Sequence, residues 1–255
     1  MQFFCKGMLI DSHIHIGQFY DYYFAPSYIH KLMEQLNIQY YAVSSTTMCE
    51  ENYPKVIDEI HELIELDGSK VLPVMWITPE GLKGNIAWLL DSDIKWRCIK
   101  VHPALHDAWV SDVSLFNEVS EIASEMNVPL MIHTGIDDCC KSSIACGIIK
   151  KYSNVEFILA HGRPILETIE LMQACPNVWM DTAFVSINDI EQFLDKDLSS
   201  KMLWGTDMCI PKYFYPEEDL ESYYRRKLND FKEVCSTEQF EQVTYKNAMK
   251  LFNLR

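Results

Sequence analysis

"MLIDSHIHIG", Met8 to Gly17, is the stretch on which the fold turns. Apolar residues lead into Asp11, and His13 and His15 follow at intervals of two. On a strand, side chains two apart point the same way, so Asp11, His13 and His15 share one face while Ser12, Ile14 and Ile16 take the other. Taken alone, the stretch reads either as a half-exposed strand with polar residues outward or as one wall of a polar site. The rest of the chain decides between them.

Short β-rich runs alternate with helical patterns from end to end. Eight strands are expected, at 8–16, 40–46, 70–76, 97–102, 128–134, 155–161, 177–182 and 201–206. Helical spacing fills 26–37, 53–66, 79–90, 112–126, 139–152, 164–174 and 187–195, with a helical tail from about 216. Pro26, Ser111 or Asp112, and Pro164 supply start signals. Nearly continuous apolar strands alternating with helices indicate a parallel sheet covered on both faces. Eight repeats of one unit imply closure into an α/β (β/α)8 TIM barrel. The rival, an open doubly wound sheet, lacks a glycine-rich phosphate loop after the first strand. No linker, low-complexity tract or repeat divides the chain, so residues 1–255 read as a single domain. The loops at 16–25 and 102–111 are long for this architecture, and such loops build pockets.

At 255 residues and 48% hydrophobic, the chain can bury the core a barrel needs. A formal charge of -15 and no basic cluster argue against nucleic acid as a partner. No apolar run reaches the ~18 residues of a membrane helix, and Lys6 and Asp11 interrupt any signal-peptide core. The expectation is a cytoplasmic protein with no membrane partner. Nine scattered cysteines, with no C-x-x-C pair, suit reduced core thiols rather than a zinc knuckle. The adjacent Cys139 and Cys140 follow a candidate site strand and are the one pair to weigh as a nucleophile.

Register then places the polar residues. His13 and His15 end strand one, His133 ends strand five, His161 ends strand six, and Asp207 directly follows strand eight. A barrel gathers its active site at that C-terminal rim, so these five side chains can meet although almost 200 residues separate them in sequence. Any one of them could be a satisfied core residue; for all five to be so takes five separate accidents of strand number and strand end.

Here the chain resembles the amidohydrolase superfamily, metal-dependent (β/α)8 enzymes marked by Asp-x-His-x-His on strand one, a His on strands five and six and an Asp on strand eight. The matching stretches are "DSHIHIG", "MIHTG", "LAHGRP" and "WGTDMCIP", and "NAMKLFNL" (Asn247 to Leu254) looks like the helix that closes many members. The spacing is most similar to the compact amidohydrolase-related branch (amidohydrolase 2), which includes aminocarboxymuconate semialdehyde decarboxylase and small lactonases. Imidazole and carboxylate make an N/O site suited to Zn2+ or another divalent first-row ion, which acidifies bound water toward a pKa of ~7.

The resemblance implies His13, His15 and Asp207 as metal ligands with His133 as a further one, and Asp207 as a proton acceptor too. His161 would be a catalytic group that orients water and polarises a carbonyl, or a ligand of a second ion. Asp11 reads as a group that orients a ligand by hydrogen bonding. Lys100 and His102 share one strand face; Lys100 is a carboxylated bridge between two ions, a cationic substrate anchor or a structural lysine, and one ion is expected rather than two. His102 lines the pocket. Arg163 can grip a substrate carboxylate through its planar fork. Trp109 is expected to bind substrate, with Trp76, Tyr20, Phe184 and Tyr213 as further aromatic walls. His30, His61 and His106 are left as surface residues.

Two chemistries use this constellation equally: metal-assisted hydrolysis of a small ester, lactone or amide, and non-oxidative decarboxylation of a small unsaturated or aromatic acid. Either takes a small molecule carrying a carbonyl or a carboxylate. A barrel retained only for binding is a third reading. A TatD-type deoxyribonuclease is a fourth, weakened by the acidic chain and by Lys100 where a glutamate is expected. Exposed loop aromatics allow a homodimer.

Overall fold

A computed structural model describes residues 8–84, 86–106 and 108–254; Cys5 and Lys6 lie outside them. Its strands are β1 (Ile10–Phe19), β2 (Tyr22–Phe24), β3 (Tyr40–Ser45), β4 (Val71–Trp76), β5 (Cys98–Val101), β6 (Leu130–His133), β7 (Phe157–Ala160), β8 (Val178–Asp181) and β9 (Met202–Leu203). They form one sheet in the order β2-β1-β3-β4-β5-β6-β7-β8-β9. Every neighbouring pair is parallel except β1 and β2.

Each of the eight expected strands is present, and β2 is an addition inside the expected loop 16–25. There the chain folds into a hairpin, with Gly17 opposite Phe24 and Phe19 opposite Tyr22. Its aromatic residues favour extended backbone, a preference that a reading for loops misses. Gly17 has to be glycine: φ is +88°, and a Cβ there would lie 2.5–2.7 Å from the side-chain oxygens of Thr47, Ser45 and Glu59.

At the far end of the row β9 is only two residues long. The chain beyond it turns to β1 instead. Ser12 N–H donates to the Trp204 carbonyl at 2.8 Å, Asp207 N–H to the His13 carbonyl at 2.8 Å, and His15 N–H to the Met208 carbonyl. A parallel bridge joins Ile14 to Met208. The sheet therefore curls until its last segment is hydrogen-bonded to its first strand.

The crossover helices follow the expected apolar periodicity, among them Pro26–Leu36, Tyr53–Asp67, Val113–Met126, Ile165–Ala174 and Ile187–Leu194. Side chains of Asn52, Asp112 and Ser186 cap three of these, accepting from backbone N–H groups the first turn leaves free. The expected helix at 79–90 is two pieces, Pro79–Gly84 and Ile86–Leu90. Glycine at the end of the first piece suits a stop. The expected helix at 139–152 begins late: Cys139 and Cys140 sit in a turn, and helical backbone starts at Ser142.

Two apolar clusters hold the fold. The larger lies between the helices and the outer face of the sheet. The smaller collects alternate residues from the inner face, Ile10, Ala42, Leu72, Cys98, Met131, Ile158, Trp179 and Leu203, one from each parallel strand. Each such burial contributes about 1.5–3 kcal/mol for a large side chain. Ala248 and Phe252, from the C-terminal helical segment, complete it. The period-2 rule thus fills the floor with apolar groups, Val74 and Ala160 among them, and on β3, β5, β6 and β8 makes the next inward position polar (Ser44, Lys100, His133 and Asp181), while β1 shifts register between Asp11 and Ile14.

The Asn247 side chain fastens that C-terminal segment, donating to the carbonyls of Met202 at 2.6 Å and Ser199 at 2.7 Å. Asn247→Ala leaves both acceptors unsatisfied in place. A loss of about 1–3 kcal/mol in a urea titration is expected, and an unchanged midpoint would contradict this anchoring role.

Candidate functional site

The site is built from hydrogen bonds that fix which ring nitrogens carry protons. His13 Nδ1 lies 2.9 Å from Asp181 Oδ2, an atom that only accepts. The neutral His13 ring therefore donates through Nδ1 and presents a lone pair at Nε2. His15 Nδ1 meets the Ser44 hydroxyl at 3.0 Å and the Ser44 carbonyl at 3.3 Å. A proton on Nδ1 pairs with the Ser44 carbonyl and leaves Nε2 as the lone-pair atom facing Asp207; burial, aided by the Lys100 charge, drives the His15 pKa down to about 3.

Both bare nitrogens face one carboxylate oxygen. Asp207 Oδ1 is 3.3 Å from His13 Nε2 and 2.9 Å from His15 Nε2. Despite these approaches it has no partner in hydrogen-bonding geometry. Three acceptor atoms are thus held together out of water, an arrangement that favours a cation beside them. Two imidazole nitrogens and a carboxylate oxygen are the donors a zinc-like divalent ion takes, and the three residues can hold one. Lys100 Nζ approaches the same nitrogens, 2.8 Å from His13 and 3.1 Å from His15. Burial pushes its pKa below the usual lysine value.

A second tier lies beside this group. His161 Nδ1 is 3.0 Å from the Ala183 carbonyl, so the neutral ring donates there and accepts at Nε2. That acceptor takes the Nδ1–H of His133 at 3.1 Å. The His133 ring stacks on His102 at 3.7 Å between centroids, and His102 stacks on Trp76 at 5.5 Å. Burial lowers the pKa of His102, His133 and His161, which keeps these rings neutral. His161 Nε2 stands 4.0 Å from Asp207 Oδ2.

Backbone geometry serves the same end. Asp11 does not reach the cavity: it accepts from Thr206 Oγ1 at 2.6 Å, Thr206 N at 3.2 Å and His13 N at 3.1 Å. It thereby ties β1 to the segment carrying Asp207, and burial pushes its carboxyl pKa up to about 7. His161 and Asp207 have φ of +70° and +56°. Left-handed backbone at non-glycine residues is strained, and the surrounding hydrogen bonds must hold it.

Asp181 escaped the sequence reading. It ends β8 in "VWMD", so the strand-end rule that found His133 also applies to it. Besides holding His13, its Oδ1 accepts from the backbone N–H of His161 at 3.1 Å and of Ala183 at 3.0 Å. Gly205 permits this contact, since a Cβ there would come within 3.1 Å of both the Asp181 and the His13 Cβ.

A cavity of about 350 Å3 opens above the group. Lys100, His102, His133, His161, Arg163 and Asp207 all line it, with Trp76, Tyr20 and Phe184 among its walls. The Arg163 guanidinium donates to the Phe184 carbonyl, and among the described residues no carboxylate pairs with it. Two expected residues are placed differently. His133 is not in the His13–His15–Asp207 group; its Nδ1 meets His161, which leaves Nε2 as its lone-pair atom. Trp109 does not line the cavity: the short helix Ala108–Ser111 turns its indole into the core against Phe116, at 5.4 Å. Tyr213 flanks the mouth, stacked on Tyr20 at 4.9 Å. His30, His61 and His106 face Asp67, Asp93 and Glu80 away from the site. The described cysteines are free, and the Cys140 thiol is pushed up to about 11, chiefly by burial, which disfavours a nucleophile there.

Because Asp181 sets the His13 proton, Asp181→Asn is expected to weaken zinc binding about 10- to 100-fold. Competition against a fluorescent chelator reads this, with far-UV circular dichroism unchanged. Equal affinity would show that Asp181 does not orient the ring.

An amidohydrolase family model (Amidohydro_2) matches residues 10–254. No curated protein matches the sequence significantly. Among solved structures, a probable 2-pyrone-4,6-dicarboxylic acid hydrolase of Acinetobacter baumannii with citric acid bound is 12% identical, covers 96% of this chain and 99% of its own, and has a TM-score of 0.65. An amidohydrolase of Burkholderia multivorans with bound zinc is 14% identical over 98% of this chain and 100% of its own, with a TM-score of 0.67. The 5-carboxyvanillate decarboxylase of Sphingomonas paucimobilis is 11% identical over 97% and 99%, with a TM-score of 0.66. At these identities the likeness is one of fold. The family match over nearly the whole chain goes further: this chain belongs to the amidohydrolase family.

Proposed function

We propose that the chain is a metal-dependent hydrolase acting on an ester, lactone or amide bond of a small molecule, its curled sheet closed as a (β/α)8 barrel in one domain. The observation that carries this is the convergence of His13 Nε2, His15 Nε2 and Asp207 Oδ1 within ligating reach of one another. A divalent ion of the zinc type, when bound there, supplies Lewis acidity that lets water attack near neutral pH. One ion is favoured over two, because Asp181, which could join a second group with His13 and His161, already accepts from three N–H donors.

The chain's own groups do the rest. Asp207 Oδ2, 4.0 Å from His161 Nε2, can accept a proton from water. His161, neutral and fixed by the Ala183 carbonyl, can share a proton with the reacting oxygen. Lys100 and Arg163 line the cavity as cations for the anionic end of a substrate, within a molecule whose net charge is -15. The Arg163 fork, without a carboxylate partner among the described residues, also favours a second reading: non-oxidative decarboxylation of a small acid, in which Arg163 holds the carboxylate.

Zinc-loaded protein is expected to consume base in a pH-stat with γ-lactones, phenyl esters or anilides, and to release no CO2 from aromatic or unsaturated acids. CO2 release without lactone, ester or amide cleavage would replace the first reading by the second. Asp207→Asn should lower kcat about a hundredfold or more; near-normal turnover would remove Asp207 from the chemistry. His13→Ala with His15→Ala should abolish bound metal by elemental analysis while the circular dichroism spectrum stays that of the parent. Retained metal would refute the ligand assignment.

A further inference from the structure

One side of the cavity mouth is a continuous track of aromatic rings leading from solvent to the buried chemistry. The Tyr20 ring stacks on Tyr213 at 4.9 Å between centroids, and Tyr213 meets Phe214 edge-on at 5.3 Å. Phe214 meets Phe184 at 5.6 Å, and Phe184 meets the His161 ring at 6.2 Å. Phe19 buttresses the outer end, 4.9 Å from Tyr20 and 5.4 Å from Tyr213. The track is assembled from three elements distant in sequence: the β1–β2 hairpin, the chain after β8 and the chain after β9.

Its outer members are wet. Tyr20 is 66% exposed, Phe214 57% and Tyr213 41%. Packing does not require them there, since the core clusters are complete without these three rings. A contiguous run of large exposed apolar groups is unfavourable in water and marks a surface that something covers. Here the run is continuous with the cavity that Tyr20, Phe184 and Phe214 line, so whatever enters the cavity is what reaches it. The inner end offers the opposite chemistry, with the buried Lys100, the His161 ring and the Arg163 fork.

Resting on the reading of this cavity as the catalytic site, we propose that its substrate is amphipathic: a small carbonyl or carboxylate head on the buried polar floor, and an apolar chain lying outward along Phe184, Phe214, Tyr213 and Tyr20. These rings are then specificity-determining residues. A methylene laid on them leaves water, which is worth about three- to fourfold in affinity when burial is complete. Beyond Tyr20 an added methylene stays in solvent, so the gain stops.

Binding of sodium butyrate, hexanoate, octanoate and decanoate to the zinc-loaded protein, followed by isothermal titration calorimetry, tests this without turnover. Affinity should climb about two- to fourfold per methylene and then level off. Phe214→Ala and Tyr20→Ala, at exposed positions where folding is not at stake, should each flatten the climb. Trp88→Ala, an equally exposed aromatic (56%) far from the track in sequence and fold, should leave it as in the parent. Equal binding of butyrate and decanoate, or a climb that survives both track variants, overturns the proposal. The γ-lactone series from butyrolactone to decalactone separates the two readings. Cleavage with no dependence on tail length refutes the track alone. A tail-length climb in alkanoate binding with no lactone cleaved supports the track and leaves the hydrolase reading refuted for lactones.

Discussion

Three atoms with lone pairs, His13 Nε2, His15 Nε2 and Asp207 Oδ1, are held close together and out of water, with the Lys100 ammonium beside the two rings. Electrostatics makes that arrangement costly in isolation and favourable around a cation, so much of the surrounding structure can be understood as keeping it assembled. Asp181 and Ser44 hold the far nitrogens of the two rings, which turns the near ones toward Asp207. Asp11 clasps Thr206 and so fixes the strained backbone that aims Asp207. Gly205 leaves the room that brings Asp181 to His13.

The fold supplies this at low cost because one rule of strand geometry does two jobs. Alternate inward residues near the strand starts are apolar and pack as a floor beneath the site, closed off by Ala248 and Phe252. Two residues further along the same strands, inward positions carry Lys100 above Cys98 and His133 above Met131. The apolar floor excludes water from below, which strengthens each electrostatic contact above it. Neutral imidazoles, half-buried at 102 and 133 and buried at 161, then line the cavity without adding charge, leaving Lys100 and Arg163 as the cations that meet a ligand.

Legibility in the sequence follows the range of the interaction concerned. Most of the strands are readable because each is a short, nearly continuous apolar run. The site histidines are readable because a polar residue at the end of such a run, repeated on several strands, has little reason to be there except a shared site. The β1–β2 hairpin is not, because aromatic residues in a connection satisfy loop and strand preferences alike, and pairing with β1 decides it. Trp109 departs from its expected place because a helical turn at 108–111 sends the indole to the core, where Phe116 meets it. Asp181 carries the strand-end signal, yet its importance rests on a contact with His13, 168 residues away.

By itself the sequence determined the alternation of strands and helices, the placing of His133, His161 and Asp207 at or just past strand ends and of His13 and His15 on the first strand, and the acidic character of the chain, since periodicity and composition are local properties. Tertiary structure alone decided which of those five converge. His13, His15 and Asp207 form one group and His133 pairs with His161, while Asp207 is brought to β1 by the backbone contacts that join the last segment to the first. The physical reason is that a ring nitrogen becomes a ligand or a hydrogen-bond donor according to what its other nitrogen touches, and that partner comes from a different strand.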